Sequence, residues 1–211
     1  MEPRLTDLTL GALTARLASA DPTPGGGSAS ALVGSLGAAL GAMVWRLTRA
    51  KSDGSVPEDR ISEAMVDLED LTAALSANVD LDASAYDDVL LALRMPRGSE
   101  EESAARKKAI EAATLSATQV PLETARLCRE VMRGCLDAAR LGHEGAVTDA
   151  GVGVLAAYAG LNGAVYNVEI NLDGLSDEGL VAAITGETAA LRAEAEELKR
   201  EGDELVRGRL G

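Results

Sequence analysis

One run of side chains sets the frame for this 211-residue chain. Ile61, Met65, Leu68, Thr72, Leu75, Val79, Asp82, Tyr86, Val89 and Leu93 follow one another by alternating steps of four and three, without a slip. That is the seam of a helix packed lengthwise on its neighbours. Ser55 followed by Glu58 reads as a capping box, so the helix is predicted from about Pro57 to Met95, roughly 55 Å at about 1.5 Å per residue. A helix of that length needs partners of similar length. Composition points the same way: aromatic residues make up 2% of the chain and Phe is absent, so the core must be filled by Leu, Val, Ala and Met. Such residues suit helices at short distances better than a sheet, where β-branched and aromatic residues dominate. The expected fold is all-α, about six helices in one domain over residues 1–211.

A second stretch limits how those helices meet. In PGGGSASALVGSLGAALGAMVWRLT, from Pro24 to Thr48, Gly25, Gly26 and Gly27 form a loop, and Ser28 is placed to offer its hydroxyl to the first free N–H groups of a helix. Ser30, Gly34, Ala38 and Ala42 then recur every four residues, with Gly37 and Gly41 beside them. Each interior glycine costs about 1 kcal/mol against alanine, so bare backbone must serve a purpose. Two purposes fit: a neighbouring helix approaching closely, or a flat ligand lying on the helix with an anionic end at the N–H groups of Gly26 to Ser28. Both can hold at once. A later helix, predicted over Val147 to Leu172, repeats the theme with Gly153, Ala156, Gly160 and Gly163. Asp149 begins that face, Asn167 lies at its far end and Asn171 one turn further.

Asp82 is the odd member of its seam. A carboxylate there must be paired, hydrogen-bonded, protonated or facing a wet cleft, because burying it alone would cost several kcal/mol. Met95-Pro96-Arg97-Gly98-Ser99 ends the long helix, and Ser99 with Glu102 caps the next. Arg94, Arg97, Arg106, Lys107 and Lys108 form the densest basic cluster in the chain, read as a solvated face or as a contact for ligand carboxylates. Pro121 is expected to kink or end that helix, with the apolar pattern resuming to Leu141. The last stretch, capped by Ser176, is charged on most faces and reads as a solvated helix or one that packs on a partner subunit.

A net charge of −14 argues against nucleic acid and against anionic membrane surfaces. The uncharged run from Pro22 to Trp45 has the length of a membrane span but is mostly Gly, Ala and Ser, and no secretory signal is legible at the N-terminus. A cytoplasmic protein is expected. Cys128 and Cys135, two turns apart on one helix face, are too distant for a disulfide and read as buried thiols. A single His and no paired Cys or His spacing offer no zinc ligand set.

Taken together, PTPGGGSASALVGSLGAALGAMV, DASAY around Asp82, RMPRGSEEESAARKKAI, VPLETA, GHEGAVTDAGV and NVEIN resemble the cyclodeaminase/cyclohydrolase family, in order from about residue 5 to residue 180. The resemblance implies an up-and-down helical bundle that forms a homodimer, a groove for a tetrahydrofolate derivative as substrate, and no tightly bound cofactor or metal. It implies catalytic roles for Asp82 and Asp149, and substrate contacts at Gly25, Gly26, Gly27, Ser28, Arg94, Arg97, Arg106, His143, Thr148, Asn167 and Asn171. Two positions depart from the family pattern: His143 stands where Asn is usual and Thr148 where Ser is usual. The expected reaction is closure of 5-formiminotetrahydrofolate to 5,10-methenyltetrahydrofolate with loss of ammonia. Hydrolysis of the methenyl compound and a non-catalytic folate-binding or interaction dimer are the alternatives. In this picture the glycine stripes let the pterin lie flat, Asn167 and Asn171 meet its edge, and the arginines meet its glutamate tail.

Overall fold

The computed structural model describes residues 3–210. Among them are six α-helices and no strand: α1 Leu10–Leu17, α2 Gly26–Ala50, α3 Glu58–Leu93, α4 Glu100–Leu141, α5 Val147–Leu172 and α6 Glu178–Leu210, with 3-10 turns at Leu5–Asp7 and Glu144–Ala146. Helices α2 to α5 run alternately up and down. The sequence reading of an all-α bundle therefore holds, and helix boundaries agree closely with expectation.

The small-residue faces of α2 and α5 are consumed by each other. A Cβ on Gly37 would lie 2.7 Å from the carbonyl oxygen of Gly153, and one on Gly160 would lie 2.8 Å from that of Ser30. Two backbones this close leave no room for a ligand between them, so the flat-ligand reading of the stripes gives way to helix packing. The thiols key into the same contact: a Cβ on Gly153 would meet Cys135 Sγ at 2.7 Å, and one on Gly160 would meet Cys128 Sγ at 3.0 Å. Both cysteines are free and buried, and burial pushes each thiol up to about 12. By length and composition α2 could cross a membrane, but 61% of its most apolar window is buried inside this fold, where it serves as the central core helix. Gly37→Ala should destabilise the protein by about 1–3 kcal/mol, read as a lower denaturant midpoint, because the α2–α5 backbones must separate to admit the methyl. An unchanged midpoint would show that the contact is looser than described.

The α3 seam is buried from Ile61 to Val79, apart from a half-buried Thr72, and emerges after Asp82, with Tyr86 42% and Leu93 45% exposed. The reason is register. Gly27 faces Asp82 and α2 begins at Gly26, so the C-terminal end of α3 outruns its neighbour. The N-terminal segment covers part of this end: the Leu5 N–H donates to Asp80 Oδ1 at 2.5 Å, and Leu5 and Leu13 pack with Ala31 and Val79.

Three local expectations need correction. Ser55 does not cap α3: Pro57 is the cap residue and makes no side-chain bond, while Ser55 gives its N–H to Asp53 Oδ1 at 2.9 Å in the preceding turn. Pro121 does not end α4, which runs through it without a break, whereas the Ser99–Glu102 capping box forms as expected. The last helix is not merely solvated, because one of its faces packs within its own chain. Ile184, Thr188, Leu191, Ala195 and Gly202 are buried, spaced as in α3, and α6 lies on α4 and α5. A heptad ladder fixes its register: Glu187, Glu194 and Glu201 pair with Arg126, Arg133 and Arg140, and the first pair is bidentate at 2.6 and 2.8 Å. At partial exposure each pair stabilises by at most about 1 kcal/mol, so the ladder chiefly selects one alignment.

Candidate active site at the N-terminus of α2

The end of the bundle where α2 begins gathers most of the polar positions noted above. Pro22, Thr23, Gly25, Gly26, Gly27, Asp82, Tyr86, Ala117, Asn167, Ile170 and Asn171 line a pocket of about 240 Å³. The loop before α2 supplies one wall, α3 the carboxylate and the phenol, and α5 the two amides. Antiparallel packing is what assembles them. Asp82 faces Gly27, and Asn167 faces Gly26, so one end of each of three helices meets in one place.

Asp82 is held tightly. A Cβ on Gly27 would fall 2.5 Å from Asp82 Cγ and 2.7 Å from Oδ2, so the carboxyl lies flat on the glycine backbone where no side chain could stand. Ser28 is buried and its hydroxyl donates to Asp82 Oδ2 at 3.0 Å. Ser28 is thus not the cap residue: α2 begins at Gly26, Gly25 occupies the cap position without a side-chain bond, and Asp82 from α3 takes the anion's place at this positive helix end. Burial pushes the Asp82 carboxyl above the usual carboxylate range, and the bonds from the Ser28 hydroxyl and backbone oppose that rise. A desolvated carboxyl with one hydroxyl donor, set in a pocket, suits a group that exchanges a proton with substrate.

The amides are oriented as well. Asn167 Nδ2 donates to the Gly163 carbonyl at 2.8 Å and Asn171 Nδ2 to the Ala117 carbonyl at 2.9 Å. Sequence reasoning missed Tyr86 and Ile170 as pocket residues. Tyr86 was legible only as a seam position, and Ile170, at 76% exposure, as one apolar residue on a helix end. Their common signal is an exposed large apolar side chain beside a half-buried polar one.

The sequence pattern of the family described as formiminotransferase-cyclodeaminase matches residues 9–190. The chain belongs to that family. A methenyltetrahydrofolate cyclohydrolase from Methylorubrum extorquens is 42% identical over 161 residues, covering 76% of this chain and 77% of that protein. The formimidoyltransferase-cyclodeaminase of Rattus norvegicus is 30% identical over 177 residues, 84% of this chain but 33% of that protein, so the chain spans about a third of that longer relative. The crystal structure of a formiminotetrahydrofolate cyclodeaminase from Thermotoga maritima superposes with a TM-score of 0.86 at 24% identity, covering 97% of this chain and 98% of the other, which shows the shared fold.

Not every family-implied position reaches the pocket. Asp149 lies about 24 Å from Asp82 along the helices, as the α2–α5 register and the helical rise require. His143 and Thr148 sit at that same far end. The His143 N–H donates to Thr48 Oγ1 at 2.8 Å, and its Nε2 lies 3.1 Å from Lys51 Nζ in a separate polar hollow. Thr148 lines a cleft between α5 and α6. Arg106 donates to the Leu93 carbonyl at 2.9 Å, closing the end of α3, while Arg94 and Arg97 stand exposed beyond the pocket. A larger cavity of about 500 Å³ lies between α3 and α4, lined by Arg60, Asp67, Asp70, Glu130, Arg133 and Asp137 among others. Size favours that groove, but none of the family-implied residues lines it, and chemistry favours the Asp82 pocket.

Proposed function

We propose that the chain acts on the one-carbon bridge between N5 and N10 of tetrahydrofolate, and that its main reaction is hydrolysis of 5,10-methenyltetrahydrofolate. The observation that carries this choice is the 42% identity to a methenyltetrahydrofolate cyclohydrolase across about three quarters of both chains. The ammonia-releasing reaction expected from the sequence is the second reading, supported by the family match and the Rattus norvegicus relative. In the first, water adds to the methenyl carbon and Asp82 accepts one of its protons. That proton passes to N5 as the carbon–N5 bond breaks, the formyl group stays on N10, and the second water proton leaves to solvent. In the second, N10 attacks the formimino carbon, the N10 proton and the proton of a protonated Asp82 both pass to the formimino nitrogen, and the bond from the carbon to that nitrogen breaks to release ammonia. Either way the negative charge of the ionised carboxylate stabilises an amidinium cation. Tyr86 and Ile170 would hold the faces of the ring, and the tail would run along α3 toward Arg94 and Arg97, which begin about 18 Å beyond Asp82.

We infer further that the working form is a homodimer joined through the α2–α5 face. No charged residue interrupts Gly26–Trp45 or Ala150–Val168, and Leu36, Val152 and Leu155 are exposed on these helices. A two-fold axis across the middle of that face carries the Asp149 end of one protomer to the Asp82 end of the other, supplying the second carboxylate. Mixing Asp82→Asn with Asp149→Asn protein and allowing exchange should restore about a quarter of native turnover, since half the dimers are mixed and each holds one intact site. No recovery, in mixtures shown to exchange, would place both carboxylates in one chain's site or remove Asp149 from it. The reaction itself is decided by offering the purified protein 5,10-methenyltetrahydrofolate and 5-formiminotetrahydrofolate in parallel. Loss of methenyl absorbance in the first supports hydrolysis, its appearance in the second supports deamination, and silence in both rejects the proposal.

A further inference from the structure

Pro121 is buried inside α4, in a helix that continues through it from Glu100 to Leu141. Proline has no N–H to give to the carbonyl four residues earlier. That carbonyl belongs to Ala117, and it accepts the side-chain amide of Asn171 from α5 at 2.9 Å. Both Ala117 and Asn171 line the Asp82 pocket. A carbonyl only accepts, so this contact settles which end of the Asn171 amide is which: the NH2 points to α4, and Oδ1 is left for the pocket. Asn167, one turn earlier, is fixed in the same sense by the Gly163 carbonyl. The difference is that Gly163 is an ordinary member of its helix, whereas the Ala117 oxygen is released by a proline at the one position that can release it.

We propose that Pro121 is a positioning residue for the site: by withholding an N–H from Ala117 it reserves that carbonyl for Asn171 and so presents two amide oxygens, one helical turn apart, as acceptors. Acceptors in that arrangement complement the N–H edge of an aminopyrimidinone ring, the donor side of a pterin. The identity of the ring rests on the folate reading above; the link from Pro121 to Asn171 does not. It also gives an interior proline, disfavoured in any helix, a reason to be there.

The test uses Pro121→Ala, Asn171→Ala and the double variant, each melted thermally to show that it folds. Without ligand, side-chain NH2 spectra of 15N-labelled protein should show one Asn171 amide proton shifted downfield and slow to exchange in the native chain, and faster exchange in Pro121→Ala. With 5-formyltetrahydrofolate, titration calorimetry should show Pro121→Ala weakening binding about fivefold, the effect of one neutral hydrogen bond, in the native background and not at all in the Asn171→Ala background. Unchanged Asn171 exchange in Pro121→Ala, or an equal loss of affinity in both backgrounds, would overturn the proposal. If the native protein fails to bind 5-formyltetrahydrofolate, the folate reading falls, and the amide spectra still decide the role of the proline.

Discussion

Asp82→Asn is expected to abolish most turnover and at the same time to raise the melting temperature. The loss follows from removing the one carboxyl among the described residues that line the pocket: a positioned acid–base group typically contributes about 10²–10⁴-fold to rate, and an amide cannot exchange the proton. The gain follows from burial. Because burial raises the carboxyl above its ordinary value, the ionised form is less favourable in the folded chain than in the unfolded one. That cost is fully present above the native pKa and vanishes below the unfolded value, where both states are protonated. The variant should therefore melt a few degrees higher than the native protein near neutral pH, with the gap closing as the pH falls through the native pKa toward the unfolded one. Calorimetric melting across that range, beside a turnover assay, reads both effects. Near-normal turnover would remove Asp82 from the chemistry, and a lower melting temperature at neutral pH would show that its bond from Ser28 outweighs its desolvation.

Gly27→Ala carries the second large effect. The added methyl would overlap the Asp82 carboxyl, whose Cγ and Oδ2 lie 2.5 and 2.7 Å from the Cβ position, so the carboxylate must leave its bond to Ser28 or α3 must shift. We expect a loss of about 1–3 kcal/mol in stability together with at least a tenfold fall in turnover. Combining Gly27→Ala with Asp82→Ala should restore most of the stability and none of the activity, because the clash disappears with the carboxyl. If the double variant melts no higher than Gly27→Ala alone, the glycine is needed for its backbone and not for the space it leaves.

These two residues show what could be read from sequence. Asp82 was visible because it interrupts an apolar seam between Val79 and Tyr86. Asn167 and Asn171 were visible because they end a small-residue face. Gly27 was marked as loop flexibility and as a substrate contact, yet its main neighbour is a carboxylate on α3. That role is a fact of tertiary packing and has no local signature. The interior glycines of α2 had two admissible uses in sequence, and only the backbone contact of Gly37 with Gly153 separates them. The fold of α6 was legible but obscured. Ile184, Thr188, Leu191 and Ala195 keep the same three-and-four spacing as α3, and the charges between them drew attention away from a narrow seam. Asp149 was noted as the start of a small-residue face and His143 and Thr148 through family resemblance, and one protomer places them about 24 Å or more from Asp82 along the helical rise. No reading of a single chain can bring them to the pocket, which is the physical reason a second copy enters the proposal.

The central claim is that the substrate occupies the pocket at the start of α2 and not the larger groove between α3 and α4. A crystal structure of the protein with 5-formyltetrahydrofolate tests it directly. The account predicts the ring between Tyr86 and Ile170, its donor edge on the oxygens of Asn167 and Asn171, and the N5–N10 side within hydrogen-bond reach of Asp82. Ligand seated against Arg60, Asp67 and Arg133, with the Asp82 pocket holding only solvent, would contradict it.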